Sequence, residues 1–146
     1  MTSCFAIDND VVLKLTYYCL LDQLLDEMKL RGGGAVLGTA RFVVQRRIAR
    51  DGVSNDPVAA RAMVDAFLGA VEELEPNPTE VHLATHLEET ALIHKFELDP
   101  GESLLCSMLV HRSMKHIVTG DKRAIRAIEA LVKLRSDLST LRASMI

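Results

Sequence analysis

Tryptophan is absent from this 146-residue chain, and aromatic residues make up only 4% of it. Flat platforms on which single-stranded bases stack are therefore scarce. Its three cysteines, Cys4, Cys19 and Cys106, are odd in number and widely spaced. They match no zinc-binding pattern and no disulfide framework, and they fit a reducing, cytoplasmic setting. No apolar run approaches the ~20 residues needed to span a bilayer. The N-terminus has no basic start followed by an apolar signal core, so export is not expected. There is no excess of positive charge: the formal net charge is −3, and any binding to nucleic acid has to rest on a local basic patch. The chain has no Gly-x-x-x-x-Gly-Lys-Ser/Thr loop for a nucleotide phosphate. Gly32-Gly33-Gly34 lacks the lysine and precedes a strand. No Gly-x-Ser-x-Gly turn suggests a serine nucleophile, and no local motif supports a cysteine one.

What is present is ordinary for a globular chain: 49% hydrophobic and 25% charged residues, without repeats, low-complexity tracts or a linker. One domain over 1–146 is the simplest organisation. Residues 134–146 are left open as strand, helix or mobile tail.

Short apolar runs alternate with stretches of helical periodicity. Strands are predicted at Cys4–Ile7, Ala35–Gly38, Glu80–Ala84 and His116–Thr119. Helices are predicted from Val11 to Met28 with a break at Tyr17-Tyr18, from Thr39 to Arg50, from Pro57 to Leu74, from His86 to Phe96, from Glu102 to Met114, and after Asp121. Strand–helix alternation implies right-handed crossovers, hence a three-layer α/β sandwich with a short parallel sheet flanked by helices.

Acids stand at the ends of these elements. Asp8 and Asp10 follow the first strand, Glu102 opens a helix after Leu98-Asp99-Pro100-Gly101, and Asp121 follows Ile117-Val118-Thr119-Gly120. In a parallel sheet the carboxyl ends of the strands share one edge, where ligands bind. Carboxylates gathered there repel one another unless a cation sits among them, and magnesium prefers such oxygen donors. Each acid also fits a plain role. Asp121, Asp8 and Asp10 suit helix N-caps, and Glu102 suits the positive end of a helix dipole.

Three stretches in this order, Ile7-Asp8-Asn9-Asp10, Leu98-Asp99-Pro100-Gly101-Glu102-Ser103 and Ile117-Val118-Thr119-Gly120-Asp121-Lys122-Arg123, resemble the motifs of PIN domains, metal-dependent nucleases that include bacterial toxins of toxin–antitoxin pairs. The resemblance covers about residues 4 to 130. It implies an endoribonuclease using Mg2+ or Mn2+, with Asp8, Glu102 and Asp121 as metal ligands and Asp10 as a fourth member or an orienting acid. Thr119 would bond a carboxylate or the substrate phosphate, and a metal-bound water would attack phosphorus. An antitoxin protein and a homodimer are the partners it implies beside RNA.

One departure stands out. The family's further acid after the second strand has no counterpart, for no acid lies between Leu30 and Asp51. Arg41 falls towards the inward face on a helical wheel. If it reached the pocket it would pair with Asp8 or Glu102 and weaken metal binding. If it bent to the surface, it would do neither.

Lys122, Arg123 and Arg126, with Lys115 nearby, form a candidate basic rim for a phosphate backbone, as do Arg46, Arg47 and Arg50. His82 and His86 have the H-x-x-x-H spacing of a helical zinc pair. The predicted strand at His82 argues against such a site, as does Leu83 in place of Glu. The alternatives to a nuclease are a degenerate PIN-like module that binds RNA or a protein, and an aspartate-based phosphatase using Asp8-Asn9-Asp10. The flanking Val11-Val12 speaks against the latter.

Overall fold

In the computed structural model the described residues are 5–29, 32–52, 55–114, 116–138 and, for the backbone alone, 142–145. Seven α-helices and five strands alternate among them. The chain divides into two compact units, Asn9–Glu75 and Cys4–Asp8 with Pro76–Ile146. Both junctions, Asp8 to Asn9 and Glu75 to Pro76, fall where a strand has just ended. No linker or low-complexity tract marks either one, and Pro76 and Pro78 at the second read as a helix stop, which is why the sequence reads as a single domain.

The first unit holds α1 (Asn9–Tyr17), α2 (Leu21–Glu27), β2 (Gly34–Leu37), α3 (Ala40–Asp51), α4 (Pro57–Ala70) and β3 (Glu72–Leu74). The break expected near Tyr17-Tyr18 is made at Cys19. Its φ is +57°, and the Leu20 amide bonds back to the Leu15 carbonyl at 2.8 Å, a left-handed helix stop. All of β2 is buried, as a continuous apolar run in a parallel sheet should be. Asp56 caps α4 by accepting from the Ala59 amide, with Pro57 at the first helical position. That helix was expected to reach Leu74 but stops at Ala70. Val71 is extended, and Glu72, Glu73 and Leu74 pair in parallel with Ala35, Val36 and Leu37. The ladder supplies the backbone bonds that another helical turn would have made.

The second unit holds β1 (Phe5–Ile7), α5 (Pro78–Ile93), α6 (Pro100–His111), β4 (His116–Thr119), α7 (Lys122–Leu134), a short 3-10 helix (Ser136–Leu138) and β5 (Arg142–Met145). β4 pairs in parallel with β1 and with β5. Ala6, Ile7, Ile117 and Val118 are fully buried. One expectation is corrected here. Glu80–Ala84 is helix, not strand, because Asn77 and Glu80 form a capping box: the Asn77 side chain accepts from the Glu80 amide and Glu80 accepts from the Asn77 amide, each at 2.9 Å. Of the alternatives left open from residue 134, strand is met in part: Leu138 is buried and Arg142–Met145 extends the ladder of β4. Of the predicted first strand, Cys4 lies outside the described residues, as does Lys115 of the predicted basic rim.

The α/β class with short parallel strands and flanking helices is thus borne out. No helix among the described residues is long and apolar enough to cross a membrane.

Candidate active site

Four of the sequence-selected residues, Asp8, Glu102, Thr119 and Asp121, belong to the second unit. Asp8 follows β1, its amide bonded to the Val118 carbonyl of β4 at 2.9 Å. That ladder bond fixes Asp8 beside the end of β4. The Thr119 hydroxyl, fully buried, donates to Asp8 Oδ2 at 3.3 Å. The same hydroxyl oxygen accepts from the Asp121 amide at 3.2 Å. Thr119 therefore links two of the three acids, and its burial leaves no face for a substrate phosphate. Of its two expected roles, it fills the carboxylate one.

Glu102 is placed by helix capping. Asp99 is the N-cap of α6 and Glu102 its third residue. The Glu102 amide donates to Asp99 Oδ1 at 2.8 Å, and Glu102 Oε2 accepts from the Asp99 amide at 3.0 Å. Glu102 is 3% exposed. Burial pushes its carboxyl up to about 7 against the Asp99 hydrogen bond, and the charges of Asp99, Asp8 and Asp121 push the same way. Asp8 and Asp121 are thus both close enough to Glu102 to act on its ionisation.

Asp121 has a different environment. It caps α7, accepting from the Arg123 amide at 2.8 Å, and Arg123 Nε and Nη2 each approach its carboxylate at 3.4 Å. Burial alone would raise its pKa, but the Arg123 amide and guanidinium outweigh that and hold it below the usual range. Arg123 also pairs with Glu97 at 3.1 Å. Glu97, Leu98, Asp99, Glu102, Asp121 and Arg123 line a cavity of about 290 Å³. A neighbouring cavity of about 300 Å³ is lined by Lys95, Phe96, Glu97, Arg123, Arg126 and Ala127. Arg123 is common to both, so an acidic depression borders a basic one. Lys122 is exposed at the start of α7.

Asp10 and Arg41 belong to the first unit, and each has ion pairs of its own there. Asp10 pairs with Arg47 at 2.7 Å, beside a depression lined by Leu13, Lys14, Tyr17 and Tyr18. Arg47 and Arg50 also reach Asp51, so much of that arginine cluster is internally paired. Arg41 does not turn inward. Its guanidinium lies 3.4 Å from both Asp65 and Glu73, while Ala40, Val44 and Ile48 form the buried stripe of α3. The wheel placed Arg41 one position too close to that stripe.

Sequence reasoning passed over Asp99, Glu97 and Glu80. Asp99 and Glu80 had a signal, the Asp-Pro-Gly-Glu and Asn-Pro-Thr-Glu capping boxes. Glu80 is fully buried and accepts from Arg112 Nε at 2.8 Å and Nη2 at 3.1 Å, with His111 Nδ1 at 2.9 Å. Burial would raise its pKa, yet the bonds from Arg112, the Asn77 amide and His111 hold it down to about 2. Cys106, fully enclosed, has its thiol pushed up to about 12 by burial and by the charges of Glu102 and Asp8. It carries no thiolate at neutral pH.

Among the described residues, no group of three His, Cys, Asp or Glu side chains is positioned to hold one metal ion between them. The donor set itself is of hard oxygens, two of them on side chains at least nine-tenths buried, Asp8 and Glu102. That suits magnesium, which is held by one or two carboxylates and otherwise keeps its waters.

No protein-family model matches the chain, and no curated protein matches it. Among solved structures, the chain is similar to the crystal structure of PAE2754 from Pyrobaculum aerophilum. The TM-score is 0.62 and the identity 16%, over 95% of this chain and 98% of that one. At that identity the likeness shows the fold alone, an α/β arrangement of parallel strands and helices.

Proposed function

We propose that this chain is a PIN-like, Mg2+- or Mn2+-dependent endoribonuclease. The observation that supports the reading is that Thr119 bonds both the Asp8 carboxylate and the Asp121 amide, with the buried Glu102 close enough to feel the charges of both acids. Asp8 and Glu102 would hold the cation, with Asp121 reaching it through water. When bound, the cation would lower the pKa of a water and offset charge building on the phosphate. Thr119 keeps Asp8 oriented. The Asp99 capping bond holds Glu102 at the helix start. Arg123, Arg126 and Lys122 would hold the phosphate backbone beside the acids. By resemblance, an antitoxin would cover the acidic cavity, and a second copy of the chain would pack on apolar residues of the early helices such as Tyr17, Tyr18 and Met28.

A second reading has one observation in its favour. Arg123 occupies the Asp121 carboxylate, and a cation has to compete with it. On that reading the chain is a degenerate PIN-like module that binds RNA or a protein without cutting. One experiment separates the two. Calorimetric titration of Mn2+ into wild type and Asp8→Asn is followed by incubation of both with a mixed RNA pool. Binding and cleavage that both vanish in Asp8→Asn support the nuclease. RNA binding without Mn2+ uptake or cleavage overturns it in favour of the module.

A further inference from the structure

The sequence expectation of a strand at His82, with Leu83 in place of Glu, argues against a metal pair at His82 and His86. Both in fact lie on α5, one turn apart, with both residues exposed. Their rings meet edge to face, centroids 4.7 Å apart at 79°. The two Nε2 atoms are 3.2 Å apart. Imidazole nitrogens bind zinc at about 2.0–2.1 Å. An ion at that distance from both atoms would see them at about 100°, an angle between the tetrahedral and octahedral ideals. The pair is therefore already spaced as a chelate.

Two neighbouring features favour a cation there. Glu89 Oε2 lies 3.9 Å from His86 Nδ1, the ring nitrogen facing away from the pair. At that distance it is no hydrogen-bond partner of the ring, but its charge adds to the negative potential beside the pair. From Pro78 to Ile93 the helix contains no lysine or arginine, while Glu88 and Glu89 add negative charge. The capping box at Asn77 and Glu80 anchors the helix start.

We infer that α5 bears a surface site for a divalent transition cation of the zinc or nickel class, chelated by Nε2 of His82 and Nε2 of His86, with Glu89 adding negative charge beside His86. Water fills the remaining positions. Imidazole donors select this class over magnesium, which takes oxygens. The site is thus chemically distinct from the carboxylates of the second unit and stands whether or not those bind a cation.

The test is calorimetric titration of Zn2+ into the untagged full chain and into His82→Gln, His86→Gln, Glu89→Gln and Asp8→Asn, with circular dichroism confirming each fold. With excess Mg2+ present to occupy the carboxylates of the second unit, wild type and Asp8→Asn should each bind one equivalent with the same affinity. His82→Gln and His86→Gln should each weaken binding at least ten-fold, because a chelate is lost, and Glu89→Gln a few-fold. No binding to wild type overturns the inference. So do histidine variants that bind as wild type does, or binding that disappears in Asp8→Asn instead.

Discussion

Thr119 and Asp8, 111 residues apart in the chain, are joined by a buried hydrogen bond of 3.3 Å, hydroxyl to carboxylate. The same hydroxyl receives the Asp121 amide. Thr119→Val keeps the shape and removes both bonds. It should cost roughly 1–3 kcal/mol of stability, the usual toll for leaving buried polar groups short of a partner. It should also weaken Mn2+ binding, since Asp8 loses its orientation. Urea unfolding and a parallel titration check this. A variant equal to wild type in both would remove Thr119 from the site.

Glu102 gives a pH dependence that needs no metal. Its folded pKa, about 7, lies above the ordinary 4.5. The folded state therefore holds the proton more tightly than the unfolded one. The stability this gives is fully present below about pH 4.5 and is lost as pH rises through 7. Glu102→Gln keeps the capping bond to the Asp99 amide and removes the buried charge. In EDTA at pH 8 it should be more stable than wild type by roughly 1–3 kcal/mol, with the gap shrinking as pH falls towards 4.5. A gap that stays constant with pH would refute the assignment.

Glu80 has the opposite sign. Its folded pKa of about 2 lies below 4.5, so its contribution is present above about pH 4.5 and is lost as pH falls towards 2. Arg112 supplies two of the bonds that keep this buried carboxylate ionised. Arg112→Ala leaves a buried charge with a weaker set of partners and should cost about 3 kcal/mol at pH 7. The loss should be smaller in Glu80→Gln/Arg112→Ala than the single changes sum to, which a double-mutant cycle measures. Strict additivity would show that the pair contributes nothing.

Arg41 separates what a helical wheel can say from what it cannot. Its ion pairs with Asp65 and Glu73 are exposed, and such pairs are worth about 1 kcal/mol or less. Arg41→Ala should leave Mn2+ affinity within two-fold of wild type and stability nearly unchanged. A rise in Mn2+ affinity would instead revive Arg41 as a competitor at the acidic site.

The errors of the sequence reading share a cause. β4 was legible to the residue because His116–Thr119 is short, apolar and bounded by a glycine and an acid. The placement of Asp8, Glu102 and Asp121 at element ends was legible for the same reason. Glu80–Ala84 was misread because its alternating apolar residues imitate a strand, while the deciding signal, the Asn77–Glu80 capping box, lies at its start. β3 is read as helix, and residues 134–146 stay open, because Glu72–Leu74 and Arg142–Met145 have little β character of their own and are strands through pairing with β2 and β4. The side-chain facts that govern the site were out of reach of spacing arguments. Arg123 folding back on Asp121 and Arg41 reaching Asp65 are set by tertiary packing.

That fold-back leads to the last expectation. Arg123 lies within 3.4 Å of Asp121 through two guanidinium nitrogens, and it also lines the basic cavity next door. It cannot serve a phosphate fully while it neutralises Asp121, nor can a cation take Asp121 without displacing it. Arg123→Gln should raise Mn2+ affinity several-fold, because the competing charge is gone. It should at the same time weaken RNA binding and make the salt dependence of that binding shallower, by about one unit in the log–log slope if Arg123 contacts one phosphate. The two effects have opposite signs, so no general loss of structure can mimic them. If Mn2+ affinity fell together with RNA affinity, Arg123 would be supporting Asp121 as a ligand and not competing for it.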